Sequence, residues 1–314
     1  MLKIVYPYTQ PNFGIDVDCF LFNQPKHWPS QSSESPYSFY WLDNSQEIAL
    51  ASIHIWVTHA QAVSPLRASF GGFELSGQIT AIEIQQFVRE ILQYLSTLGC
   101  SSLKLIQCPT CYQANSNILH QILIELGFQV CYTDHNQHLA VTEKPFYTQL
   151  HTSAKRRLNK CRQAGITAQL LKKPFNYEAI YQFIIAARIR KNYPISLTLN
   201  DFIQLHQQFS AEFKQCVVYD KQQLIATCTL IVVQQNNILY YFLPADHANY
   251  LPFSPSIMLI ETLYVYAQEQ GYEILDLGIS STQGQINEGL FRFKQNLGAI
   301  TSSKSTYLYT FKTH

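Results

Sequence analysis

"GYEILDLGISSTQGQINEGLFRFKQNLGAI" spans residues 271–300. Its first third alternates apolar and polar residues and ends on Gly278, the pattern of a short strand. A polar loop follows, and then a helix that stops at Gly298, where a left-handed residue ends the last turn. Arg292 and Lys294 stand beside Phe291 and Phe293 in that helix. A helix that only covered a sheet would need no cation there.

The same order of elements occurs earlier. "EILQYLSTLGCSSLKLIQ" (90–107) and "ILHQILIELGF" (118–128) read as helix, glycine, strand, loop, helix, Leu-Gly. "ETLYVYAQEQGYEILDLG" (261–278) and "GLFRFKQNLGA" (289–299) repeat it. Gly99 to Gly127 is 28 residues and Gly271 to Gly298 is 27. Identities are few, but a repeat of this size implies a duplicated domain and not a solenoid. The first copy has no cation where the second has Arg292 and Lys294.

Outward from these units the chain alternates in type. Thr80 and Glu83 form a capping box before a helix whose apolar positions recur from Ile84 to Leu95. "DVDCFLF" (16–22) alternates like a strand, "YSFYWL" and "EIALASIHIWV" are two more, and "QVCYTDHNQHLAV" (129–141) reads as strand, turn, strand. Gly71 and Gly72 imply a bulge or a close backbone approach. Pro145 marks a boundary, giving domains at 1–145 and 146–314. The second opens with the basic helix "TSAKRRLNKCRQAG" (152–165). It continues through two helices and an antiparallel meander with a turn at Asn236-Asn237. Ser254 and Pro255 supply an N-cap and first residue for the next helix.

With 314 residues and 47% hydrophobic content the chain can bury two cores. Net charge of +1 excludes a global pull toward nucleic acid or acidic membranes, so any anion site must be local. No apolar run reaches membrane-spanning length and no secretory leader is legible. Eight scattered cysteines then read as reduced thiols in the cytoplasm. Cys108 and Cys111 make one CxxC, without the second pair or paired histidines that a zinc site needs, so no metal is expected. His135 and His138 fall in the turn of 129–141. Phosphate-binding, dinucleotide-binding and serine-hydrolase motifs are absent.

Two stretches carry a family resemblance. "GYEILDLGIS…EGLFRFKQNLGA" and "AKRRLNKCRQAGI" (154–166) resemble motifs of the FemAB-like branch of the GNAT acyltransferases, over roughly residues 150–310. The repeat extends the resemblance to the first half. The fold it implies is α+β: two tandem GNAT-like domains, each a mixed, mostly antiparallel sheet flanked by helices. The function it implies is transfer of an acyl group from an activated donor, acyl-CoA or aminoacyl-tRNA, to the amine of a small molecule or peptide. The second half, or a cleft between the halves, would hold the site. An aminoacyl ligase acting on a cell-wall precursor peptide is one alternative. A catalytically inactive GNAT-fold ligand-binding protein is another, because Phe291 stands where the family usually has tyrosine.

Lys294 matches the family's Phe-Lys position and is the catalytic candidate, with Asp276 to orient it or accept a proton. Arg292, Ser254, Ser256, Tyr241, Arg156 and Arg157 are the binding candidates. A cation near a reacting carbonyl stabilises the oxyanion, and arginines hold phosphate or carboxylate. The glycine-rich loop that holds the pyrophosphate of acetyl-CoA in typical members is replaced by "ADHANYLPFSPS" (245–256), which has no glycine. The FemAB-like branch commonly lacks that loop. tRNA is nevertheless the less favoured partner, since no long helical hairpin arm is present.

Overall fold

The structure is a computed structural model and describes residues 1–17, 19–195, 197–234 and 237–312. Asn236 of the expected turn lies outside the described residues. The chain forms two compact units. One comprises Met1–His135, Ser281–Ile286 and the chain from Ser302; the other comprises Asn136–Ser280 and Asn287–Thr301.

In the first unit the strands lie in the order Leu2–Val5, Tyr37–Leu42, Ile48–Thr58, Gln61–Ser64, Ser102–Ile106, and then the C-terminal strand. Three antiparallel pairings are followed by one parallel and one antiparallel pairing. In the second unit the order is Thr167–Leu170, Phe213–Asp220, Gln223–Gln234, Ile238–Asp246, Ile274–Ile279, and then residues 136–140 of the strand Gln129–Ala140. Its pairings follow the same succession. The duplication read from glycine spacing is therefore a duplication of sheet topology.

Both units take their last strand from the other half of the sequence. Thr306–Thr310 pairs with Ser102–Ile106 in the first unit, and residues 136–140 pair with Ile274–Ile279 in the second. A single cut at residue 145 differs from this arrangement for that reason. Local pattern identifies a strand but not the edge that it joins.

The helices bury the faces that their periodicity defines. Ala81–Thr97 begins with the expected capping box, Thr80 accepting from the Glu83 N–H and Glu83 from the Thr80 N–H. It buries Ile84, Phe87, Val88, Ile91, Leu92 and Leu95. In the second unit alternate residues of one strand serve two layers. Val217 packs with Ile180, Ile184 and Phe202 from Tyr177–Arg190 and Leu199–Gln208. Cys216 and Val218 face the opposite layer, with Leu259, Ile260 and Leu263 from Ser256–Gln270.

Three local expectations are corrected. Among the described residues of 16–22, which leave out Asp18, there is no strand; a 3-10 turn at Leu21–Asn23 replaces it. There Phe20 and Phe22 both pack on Phe70, so the alternation serves an aromatic cluster. Gln129–Ala140 is one unbroken strand, so His135 and His138 lie within it and not in a turn. Ser254 has φ +56 and is not the N-cap; the helix starts at Ser256 with Pro255 at its cap. The close approach at Gly71 and Gly72 is present. A Cβ on Gly72 would lie 2.0 Å from Gln107 Oε1.

Candidate active site

In the second unit, Ile238–Asp246 and Ile274–Ile279 run parallel for three pairs, ending at Tyr240 beside Asp276. They then part. The first strand continues against Gln223–Gln234 as far as Asp246, while Ile279 pairs with Asn136. Gly278 sits at the divergence with φ +77, and a Cβ there would approach the Tyr240 ring to 3.3 Å. An L side chain is disfavoured at this point by both backbone and space.

Lys294 closes the opening. Its helix, Glu288–Asn296, is capped by the Asn287 side chain, which accepts from the Leu290 N–H. The helix directs Lys294 inward to 3% exposure. Its Nζ donates to the carbonyl oxygens of Gly278 at 2.7 Å and Ile279 at 2.9 Å. An ammonium has three donors, and these bonds use two. Burial lowers the Lys294 pKa to about 7, against the opposing pull of Asp276. Near neutral pH both protonation states are therefore populated.

Asp276 lies at the strand end, 2% exposed. Its Oδ1 accepts from Asn136 Nδ2 at 2.8 Å and from the Gly278 N–H at 2.7 Å. The second bond is the turn-capping bond that an aspartate two residues before a glycine favours. Tyr240 and His138 flank Asp276 in register on the neighbouring strands. Directly opposed residues share a face, so Tyr240, Asp276 and His138 form a row. Burial lowers the His138 pKa, while Asp276 opposes the shift. His138 Nδ1 has no hydrogen-bond partner among the described residues. Gln137 accepts from Ser280 Oγ at 2.6 Å and donates to the Phe291 carbonyl at 3.2 Å, tying strand, loop and helix together.

Of the residues singled out in the sequence, Lys294 and Asp276 come together. Arg292 does not join them. It is exposed, since residues two apart in a helix point about 200° apart around the axis. Tyr241 is buried in the core and bonded to Ser256. The tyrosine beside Asp276 is Tyr240; two adjacent tyrosines in "ILYYFLP" hide which faces which side. Asn136, Gln137 and His138 also line this site, and the turn-like composition of their stretch hides that role in the sequence.

The interval 245–256 holds a 3-10 turn at Ala248–Tyr250. At the following helix start, the N–H groups of Ile257 and Met258 donate to Ser254 and Pro255 carbonyls. Ser254 Oγ accepts from Arg157 at 3.1 Å. Arg157 and Lys160 thus reach the segment before this helix; Lys160 Nζ lies 4.3 Å from the Phe253 ring centroid. Arg162 pairs with Glu261 at 2.7 Å, whereas Arg156 is exposed. Cys108 is buried and its thiol pKa is pushed up, the opposite of an activated redox cysteine. Among the described residues no three His, Cys, Asp or Glu side chains converge on a metal position. No described helix is long and apolar enough to cross a membrane.

No protein-family model matches the chain, and no curated protein matches it in sequence. Its structure is similar to that of FemX, with TM-score 0.68 and 11% identity over 93% of this chain and 92% of that one. It also resembles the C-terminal domain of a putative lysylphosphatidylglycerol synthetase from Agrobacterium fabrum, with TM-score 0.58 and 12% identity over 86% and 84%. A tandem GNAT protein from the clavulanic acid biosynthesis pathway matches with TM-score 0.52 and 8% identity over 88% and 83%. At such identities the likeness concerns architecture. With the doubled strand order, it gives this chain a FemAB-like fold built from two GNAT-like units.

Proposed function

We propose that this chain is an acyltransferase that moves an acyl or aminoacyl group from an activated donor to an amine, with Lys294 at the reacting carbonyl. One observation carries the proposal: a buried lysine held by two backbone carbonyls where two parallel strands part. A protonated Lys294 has one N–H left to direct at an oxyanion. A neutral Lys294 keeps both hydrogens on the carbonyls and offers its lone pair as a base.

In this mechanism the acceptor nitrogen attacks the donor carbonyl carbon and a C–N bond forms. The oxyanion takes the third Nζ hydrogen bond. Collapse breaks the bond to the donor's leaving oxygen or sulfur, and the proton lost by the nitrogen neutralises that leaving group. Asp276 fixes the Gly278 turn whose carbonyl holds Lys294, and its charge favours the ammonium.

The donor we favour is an aminoacyl ester, which reverses the order expected from the missing helical arm, with a peptide amine such as a cell-wall precursor as acceptor. The 245–256 interval does not fit a coenzyme A pyrophosphate well, because N–H groups at the following helix start already donate to carbonyls. Acyl-CoA is the second donor class. A cytoplasmic setting suits the reduced cysteines.

The test is transfer by the purified chain from aminoacyl-tRNA and acyl-CoA donors to UDP-linked peptides and free amines. Lys294→Ala should lower turnover on the order of 10²–10³-fold with the circular dichroism spectrum retained. Unchanged turnover would sink the mechanism. No turnover with any donor, alongside saturable ligand binding, would make the chain a binding protein instead. A thermal-shift screen separates donors, since a ligand at 100 times its Kd adds about 2.7 kcal/mol. Arg156→Glu, at an exposed position, should raise KM for the precursor peptide.

A further inference from the structure

At the other end of the second unit's strand order, Thr167–Leu170 pairs on one side only among the described residues. The Leu171 N–H donates to the Gln215 carbonyl. Residues 171, 169 and 167 are therefore the hydrogen-bonded positions of this antiparallel pair, and Ala168 and Leu170 turn their N–H and C=O groups away from it. Side chains of the same two residues line an open groove of about 480 Å³, with Met258, Val265, Tyr266 and Glu269 from the helix Ser256–Gln270 opposite. Val265 is 42% exposed, so apolar surface remains uncovered.

The charges around the groove are unequal. Arg162 is matched by Glu261 at 2.7 Å. Glu269 has no ion pair among the described residues, and it is exposed at the groove wall. An unpaired strand edge, an apolar floor reached by alternate side chains and an unmatched carboxylate are the elements by which sheets bind extended peptides.

We propose that this groove binds an extended peptide bearing lysine or arginine, added as a further strand along Thr167–Leu170 with its cation on Glu269. Alternate peptide residues enter the groove, one apolar side chain over Met258 and Val265 and the cation two residues along. The proposal is independent of the chemistry at Lys294.

The probe is a set of capped hexapeptides alternating threonine and valine, with one lysine scanned through the positions. Binding to the full chain is followed by isothermal calorimetry. Saturable binding is expected only for peptides with lysine in one alternation phase. Ala168→Pro removes an outward N–H without touching the existing ladder and should weaken binding about tenfold. N-methylation of the peptide's edge-facing amides should do the same, and it serves if the proline variant fails to fold. Glu269→Lys should reverse the preference from lysine to glutamate peptides. The proposal is overturned if no peptide binds at millimolar concentration or if N-methylated and parent peptides bind alike. It is also overturned if sedimentation reveals a dimer that Ala168→Pro dissociates, since a second copy would then own this edge.

Discussion

The two units close the same opening in different ways. In the first, Gln61–Ser64 and Ser102–Ile106 run parallel for four pairs, and a further bridge joins Gly71 to Gln107. The Gln107 amide fills the gap, accepting from the Phe73 N–H at 3.0 Å and donating to the Phe73 carbonyl at 2.8 Å. The helix that follows, Ser116–Glu125, turns Leu119, Ile122 and Leu123 inward. In the second unit the strands separate after three pairs and a lysine takes the place of the amide. A neutral side chain that satisfies two backbone groups is the cheaper solution, because a buried ammonium carries a desolvation penalty. The first unit shows that packing alone does not require the charge. Its retention in the second points to chemistry.

The comparison breaks first at Lys294. Lys294→Met keeps length and apolar bulk, and relief of the ammonium's desolvation offsets the two carbonyls left without a donor, so transfer should fall on the order of 10²–10³-fold while the urea midpoint moves little. A parallel loss of fold and activity would make Lys294 a structural residue like Gln107. Gln107→Leu is the mirror experiment. It strands the buried Phe73 N–H, while the Phe73 carbonyl keeps its bond from Gln113 Nε2 at 2.9 Å, and should cost about 1–3 kcal/mol in urea unfolding, with turnover per folded molecule unchanged.

Titration sharpens the contrast. The Lys294 pKa is lowered from 10.5 to about 7 in the folded chain. Between those values the unfolded chain binds the extra proton, so this residue makes stability rise with pH from about 7 to about 10.5, and adds no slope below. Urea unfolding across that range should show the rise in the wild type and lose that component in Lys294→Met. An identical profile in both would remove the titrating lysine. The smallest effect belongs to Gly278→Ala. Its φ of +77 and the Tyr240 ring at 3.3 Å predict a loss of about 1–2 kcal/mol, with a lower kcat because the carbonyl that holds Lys294 shifts.

Much of this was legible in local chemistry. Helix starts follow from Thr80 and Glu83, and helix ends from Gly99, Gly127, Gly271 and Gly298, all with positive φ. Lys294 was legible because an inward cation contrasts with its apolar counterpart. Other features depend on distant partners. "TDHNQH" has the composition of a turn, yet it is strand because Asn136 and His138 face Asp276, 140 residues away for the Asn136 bond. Tyr240 and Tyr241 are adjacent aromatics, so only the register decides which reaches the site. The exchange of last strands has no local signature.

That exchange has a consequence for biogenesis. As the chain leaves the ribosome, the first unit lacks the strand that covers Ser102–Ile106 until residues 306–310 emerge, and that edge has no partner before then. Each half lacks one strand of its unit's sheet, and completion waits on contacts about two hundred residues apart, a topology that favours slow, late closure. A gene split at residue 145 would yield two fragments that each lack a sheet edge, and they would recover only by complementing one another.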